Sequence, residues 1–181
     1  MNPFDFAQLL ESGDKSYSCT MLMMPEEVCR IIQQVQDDID EDDLAGDGLE
    51  TEYHTTIMYG THTDDLDEIK EALRSTGIKE VRFKIGDLTS FPPSVYSDGA
   101  SVLKYDVESD DLNELHEALA KLKCTESFKN YHAHCTVAYV DSGVVDRYTG
   151  KPFPKRRELT SDQVMFSTSD RKKTTFKLSD P

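Results

Sequence analysis

The 181-residue chain contains no tryptophan, so its core must be filled by Leu, Ile, Val, Met, Phe and Tyr. Long hydrophobic runs are also missing. The most apolar short stretch, Cys19 to Met24, falls far below the ~18 residues that a membrane-spanning helix requires. The start, Met1-Asn2-Pro3-Phe4-Asp5, lacks the basic region and apolar block of a signal peptide. The four cysteines (Cys19, Cys29, Cys124 and Cys135) show no C-x-x-C spacing and sit inside apolar patterns. They read as reduced core thiols of a cytoplasmic protein rather than as a disulfide framework. Positive charge is scarce, with 20 Lys and Arg against 35 Asp and Glu and a net charge of −15. That balance opposes an extended grip on duplex nucleic acid, where a basic footprint supplies most of the affinity. A small nucleotide held by a few local groups remains compatible with it.

What is present suits one domain, since 37% of residues are apolar and the mass is 20.5 kDa. We expect a short polar arm over 1–16 and a single two-lobed domain over 17–181. The acidity is uneven: Glu26 to Glu52 holds eleven carboxylates and one cation, Arg30, whereas Arg147 to Arg157 holds five cations and no carboxylate. Either run reads as a solvated surface, and the basic one also as a segment for an anionic ligand.

Patterning predicts a strand over 17–24 and a helix opened by Pro25 at its first position. Val28, Ile31, Ile32, Val35 and Ile39 form its buried stripe. The helix should dissolve in the acidic, glycine-bearing stretch 40–50, and a strand over 53–59 follows. A second helix is expected over 65–75, ended by Gly77. Further strands are expected over 81–91 and 101–107, then a helix over 110–122 with Leu112, Leu115, Leu119 and Leu122 inward. A strand over 131–140 and a final hairpin (163–167 and 174–178) complete an α+β domain.

Two stretches match. The strand–helix–strand order of 17–59 recurs over 101–140, and the last strand of each set carries His-x-Thr: His54-Thr55-Thr56 and His134-Cys135-Thr136. Side chains at i and i+2 share a face of a strand. His54 and Thr56 therefore point together, as do His132, His134 and Thr136, while Ala133, Cys135 and Val137 suit burial. A polar row in an apolar strand needs water, a partner or a ligand. Two imidazoles flanking one phosphate can take a proton from an attacking hydroxyl and give one to the leaving oxygen. Threonine hydroxyls can donate to the non-bridging oxygens where charge builds. Such a site requires neither metal nor cofactor.

The arrangement resembles the 2H phosphoesterase superfamily, whose members carry two H-x-[T/S] motifs on strands of two pseudo-symmetric lobes. The resemblance covers Tyr17 to Leu178 and rests on His54, Thr56, His134 and Thr136. It implies a central cleft and metal-independent cleavage of phosphodiesters. Within the superfamily the chain is similar to bacteriophage anti-CBASS nucleases, through Tyr17-Ser18-Cys19-Thr20-Met21-Leu22-Met23 and Tyr53-His54-Thr55-Thr56-Ile57-Met58-Tyr59-Gly60. It departs from many 2H members in its acidity, because their clefts are often more basic. The resemblance implies cleavage of a 3′–5′ linkage in a cyclic di- or trinucleotide by the neighbouring 2′-OH, subverting bacterial defence from the host cytoplasm. The expected protein is a monomer with no membrane or duplex partner. Tyr17, and after it Phe91 ahead of Pro92-Pro93, are the candidates to stack on a base.

Three other readings stand beside this one. His132 and His134 with His54 or His62 could bind zinc, although no Asp, Glu or Cys follows at a ligand spacing and threonine is not a zinc ligand. The same chemistry could serve RNA processing as a 2′,3′-cyclic phosphodiesterase. The chain could also be a nucleotide-binding module without turnover. His116, beside an apolar helical stripe, reads as packing or surface.

Overall fold

The computed structural model describes residues 17–94, 97–125, 131–155 and 157–180; the expected arm 1–16 lies outside them. In chain order the elements are β1 (Ser18–Met23), α1 (Glu26–Asp37), β2 (Leu44–Leu49), β3 (His54–Thr61), α2 (Leu66–Arg74), β4 (Val81–Phe91), β5 (Ser101–Glu108), α3 (Asp110–Leu119), β6 (His134–Val140), β7 (Leu159–Ser161), β8 (Gln163–Ser167) and β9 (Lys173–Lys177). The strands join in the order β7-β4-β5-β6-β3-β1-β8-β9, with β2 added against β6. Their pairings are antiparallel. Helices set against an antiparallel sheet give the expected α+β architecture.

The sheet reads alike from both sides of its centre. β3 and β6 meet in the middle, β1 flanks β3 as β5 flanks β6, and β8 and β4 come next. The helix after β1 and the helix after β5 both reach the opposite half: α1 packs on β6, and α3 packs on β3 as well as on β4 of its own half. Strand period places Ser18, Thr20 and Leu22 of β1, and Leu103, Tyr105 and Val107 of β5, in the interior. Leu22, Leu103, Tyr105 and Val107 share one core with Val28, Ile31 and Ile32 of α1 and Leu112, Leu115 and Leu119 of α3. With no tryptophan available, Tyr105, Phe83, Phe153 and Phe166 are the largest fully buried side chains.

Local chemistry sets the helix starts. Asp65 accepts from the amide of Asp67 ahead of α2, and Ser109 accepts from that of Leu112 ahead of α3. Pro25 stands at the N-cap of α1 rather than at its first helical position. Gly77, at φ +76°, turns the chain after α2.

Several expectations change. The acidic stretch 40–50 is not merely a loop: it holds a short 3₁₀ turn, Glu41–Asp43, and then β2, which pairs Leu44 with Val140 and Leu49 with Ala138. Gly46 permits this at φ +53°, where a Cβ would stand 3.1 Å from the Ser97 carbonyl. α3 ends at Leu119, three residues early, and β6 begins at His134 rather than at Tyr131. The short β7, pairing Val81 with Ser161, carries too few residues to show a period.

The acidic and basic segments are paired with each other. Arg147 lies 3.1 Å from Asp43, Tyr148 donates to Asp43 at 2.6 Å, and Lys155 and Arg157 reach Glu27 at 2.5 and 2.9 Å. Arg156 falls outside the described residues.

Candidate active site

β3 and β6 are in register at Thr55 and Cys135, the middle residues of the two His-x-Thr motifs. In an antiparallel pair this sets His54 opposite Thr136 and Thr56 opposite His134. Thr55 and Cys135 are wholly buried on the helix side. His54, Thr56, His134 and Thr136 share the other face and are each half-buried. Direct neighbours in such a pair lie about 5 Å apart and diagonal ones about 7–8 Å. The register therefore brings the four expected residues together as a square with histidines at opposite corners.

Both rings are oriented in the same way. His54 Nδ1 donates to the Glu52 carbonyl at 2.5 Å, and His134 Nδ1 donates to the His132 carbonyl at 2.9 Å. A carbonyl can only accept, so Nδ1 carries a proton in both rings and Nε2 is the nitrogen left for another partner. Burial pushes the His134 pKa down to about 4, with the positive fields of Lys104 and His54 adding to it and the His132 carbonyl opposing. His132 itself is exposed and lies ahead of the strand, so it does not join the row as the sequence predicted.

Each motif strand bulges immediately after its threonine. Thr56 pairs with Met21 and Met58 with Thr20, which leaves Ile57 unmatched; Thr136 pairs with Lys104 and Ala138 with Leu103, which leaves Val137 unmatched. The bulged carbonyls are bonded by helices of the other half. His116 Nδ1 donates to Ile57 O at 2.7 Å, and Gln36 Nε2 donates to Val137 O at 2.8 Å. Tyr131, stacked on His116 at 4.2 Å, donates to Thr56 O at 2.8 Å.

Around the square lie groups of unequal character. On the β1 side, Cys19 shares a hydrogen bond with Thr56, and burial raises its thiol pKa to about 12. On the β5 side, Lys104 stands opposite Thr136 and Asp106 opposite His134. Phe91 presents its ring edge-on to His134 at 4.9 Å, so this predicted residue is at the site. Tyr17 is at the far end of β1, stacked on His62 at 4.8 Å and edge-on to Tyr59 at 6.4 Å. Sequence reasoning passed over Lys104 and Asp106. Both alternate with the buried Leu103, Tyr105 and Val107, a pattern that by itself reads as the solvent side of a strand. Among the described residues no three His, Cys, Asp or Glu side chains gather as a metal-ion set.

A two-lobed antiparallel sheet with paired His-x-Thr strands at its seam is the architecture of a 2H phosphoesterase. A family model described as the 2′-5′ RNA ligase superfamily matches residues 24–148, and the chain belongs to that superfamily. No curated protein matches the chain in sequence. Solved structures of similar fold include TT0787 of Thermus thermophilus, at 13% identity and TM-score 0.59, over 92% of this chain and 96% of that one. Kluyveromyces marxianus Usb1 with uridine monophosphate matches at 10% identity and TM-score 0.58, over 88% and 97%. E. coli LigT complexed with 3′-AMP matches at 14% identity and TM-score 0.55, over 91% and 95%.

Proposed function

We propose that the square formed by His54, Thr56, His134 and Thr136 is the active centre of a metal-independent phosphodiesterase that cleaves 3′–5′ linkages of cyclic di- and trinucleotides. The observation that carries this reading is the register of the two motifs, which brings two proton-exchanging Nε2 atoms and two hydroxyls to one face. In the first step the ribose 2′-OH attacks phosphorus. The O2′–P bond forms, the P–O5′ bond breaks, His134 accepts the 2′-OH proton and His54 donates one to O5′. His134 is the base because its surroundings keep it neutral. In the second step the roles reverse: water adds to the 2′,3′-cyclic phosphate, His54 takes its proton, and His134 returns one to O2′, leaving a 3′-phosphate. Thr56 and Thr136 donate to the non-bridging oxygens in both steps.

The net charge of −15 favours a compact anion over long RNA, and the stretches Tyr17–Met23 and Tyr53–Gly60 are similar to those of phage anti-CBASS nucleases. On this reading the protein removes cyclic messengers of bacterial defence, and Phe91 and Tyr17 hold bases. A second reading, cleavage of linear RNA ends carrying a 2′,3′-cyclic phosphate, draws on the neighbours solved with 3′-AMP and uridine monophosphate. Purified protein incubated in EDTA with a panel of cyclic di- and trinucleotides and with such a linear RNA, resolved by chromatography, separates the two. Opening of the cyclic panel is expected. Turnover of the linear RNA alone selects the second reading, and no turnover of either overturns both.

A further inference from the structure

Lys104 sits in the middle of β5 with its side chain only 7% exposed. Removing an ammonium from water is costly unless its protons are taken up. Here Nζ donates to Thr89 Oγ1 at 2.8 Å and to Asp106 Oδ1, and it stands 4.4 Å over the Phe91 ring, the same ring that meets His134 edge-on. Thr89 also donates to Asp106, at 3.0 Å.

Pseudo-symmetry supplies an internal control. Lys104 pairs with Thr136, and the matching partner of Thr56 in the other half is Met21. Met21 is 5% exposed, so an unbranched apolar chain fills the equivalent position, and packing alone does not call for a charge at Lys104. The partner of the ammonium is also unequal to it: the Asp106 side chain is 49% exposed, open to exchange with an incoming anion. Lys104 thus sets an ammonium beside Thr136, and Met21 sets none beside Thr56.

We propose that the Lys104 ammonium is a phosphate-binding group of this site, donating to a non-bridging oxygen seated against Thr136, with Asp106 as its counter-ion when no anion is bound. This rests on the phosphodiesterase reading and adds a direction to it. A phosphate is drawn to the Thr136 corner of the square, which neighbours both histidines. The ammonium's field also helps keep His134 unprotonated.

The test compares two substitutions that move charge in opposite directions. Inorganic phosphate is titrated into the whole protein, followed by calorimetry or by histidine resonances, so that no turnover is needed. Lys104→Met is expected to weaken phosphate binding about 10- to 100-fold, as loss of a charge-assisted hydrogen bond does, and Lys104→Arg to retain most of it. Asp106→Asn, which keeps the lysine and removes its competitor, is expected to tighten binding. In turnover, Lys104→Met should lower kcat/KM about 10²–10³-fold. It should also shift the acid limb of the pH profile to higher pH, because a cation that depresses the His134 pKa is gone.

Wild-type phosphate affinity in folded Lys104→Met overturns the proposal. So does weaker binding in Asp106→Asn, the outcome for a lysine that only pins the strand, and this measurement stands even where the methionine variant does not fold. Failure of the phosphodiesterase reading looks different: phosphate binds and responds to both substitutions, yet no nucleotide is cleaved.

Discussion

His134 differs from a free imidazole because burial, aided by Lys104 and His54, disfavours its charged form. The unfolded chain binds that proton near pH 6.5, and the folded chain only near pH 4. Between those values the unfolded state holds the extra proton, so this residue's contribution to stability is complete above about pH 6.5 and is lost as pH falls toward 4. Urea denaturation of wild type and His134→Gln at pH 7 and pH 4.5 checks this; the substitution should flatten the difference between the two. His54→Ala and His134→Ala should abolish turnover with folding intact, since both rings lie on a half-open face. Thr56→Ala and Thr136→Ala should each slow it about 10- to 1000-fold, by losing a transition-state donor. Wild-type rates in either histidine variant would remove the assignment. The recurrence of His-x-Thr at matching places in the two halves, read with the strand period, makes these four residues legible in the sequence. Lys104 is harder to read, because a lysine between Leu103 and Tyr105 is ordinarily the solvent side of a strand, and only the register against Thr136 shows otherwise.

At the scale of elements, the bulges at Ile57 and Val137 set how each motif threonine is presented, and both depend on a helix from across the seam. Gln36 is the more heavily used of the two helix side chains. Its amide donates to Glu50 O at 2.7 Å and Val137 O at 2.8 Å, and its carbonyl accepts from Tyr53 at 2.7 Å. Gln36→Leu removes a donor from Glu50 O and the acceptor of the Tyr53 hydroxyl, while Val137 O keeps the Glu50 amide at 3.0 Å, and should cost about 1–3 kcal/mol. A lower urea midpoint at unchanged slope measures that loss. Strands and helices with a clear period were readable along the chain to within a few residues. β2 was not, since Leu44-Ala45-Gly46-Asp47-Gly48-Leu49 has neither an apolar alternation nor a β-branched residue; its strand form comes from the free edge that β6 offers it. Gln36 was equally hidden, because a glutamine beside an apolar stripe gives no sign that two carbonyls await it.

At the scale of the whole molecule, the uneven charge has a structural use. Glu27 holds Lys155 and Arg157, and Asp43 holds Arg147 and Tyr148, so the basic segment is strapped to the acidic one. Its backbone is also fastened to β4, with Leu88 N donating to Lys151 O at 2.9 Å and Gly150 N to Leu88 O at 2.8 Å. Exposed pairs of this kind contribute about 0.2–1 kcal/mol. Glu27→Gln should therefore barely move the urea midpoint, because solvent screens these pairs, and leave turnover unaltered. A changed KM in that variant would instead return the segment to the substrate, which is the other reading its cations allow.

The crossing of the helices makes the two halves interdependent. The clamp on Val137 is encoded in the first half of the chain and the clamp on Ile57 in the second. Neither half, expressed alone, can brace its own motif strand. A chain severed in the connection between β4 and β5 should yield two pieces that are each inert, and that recover cleavage together when mixed.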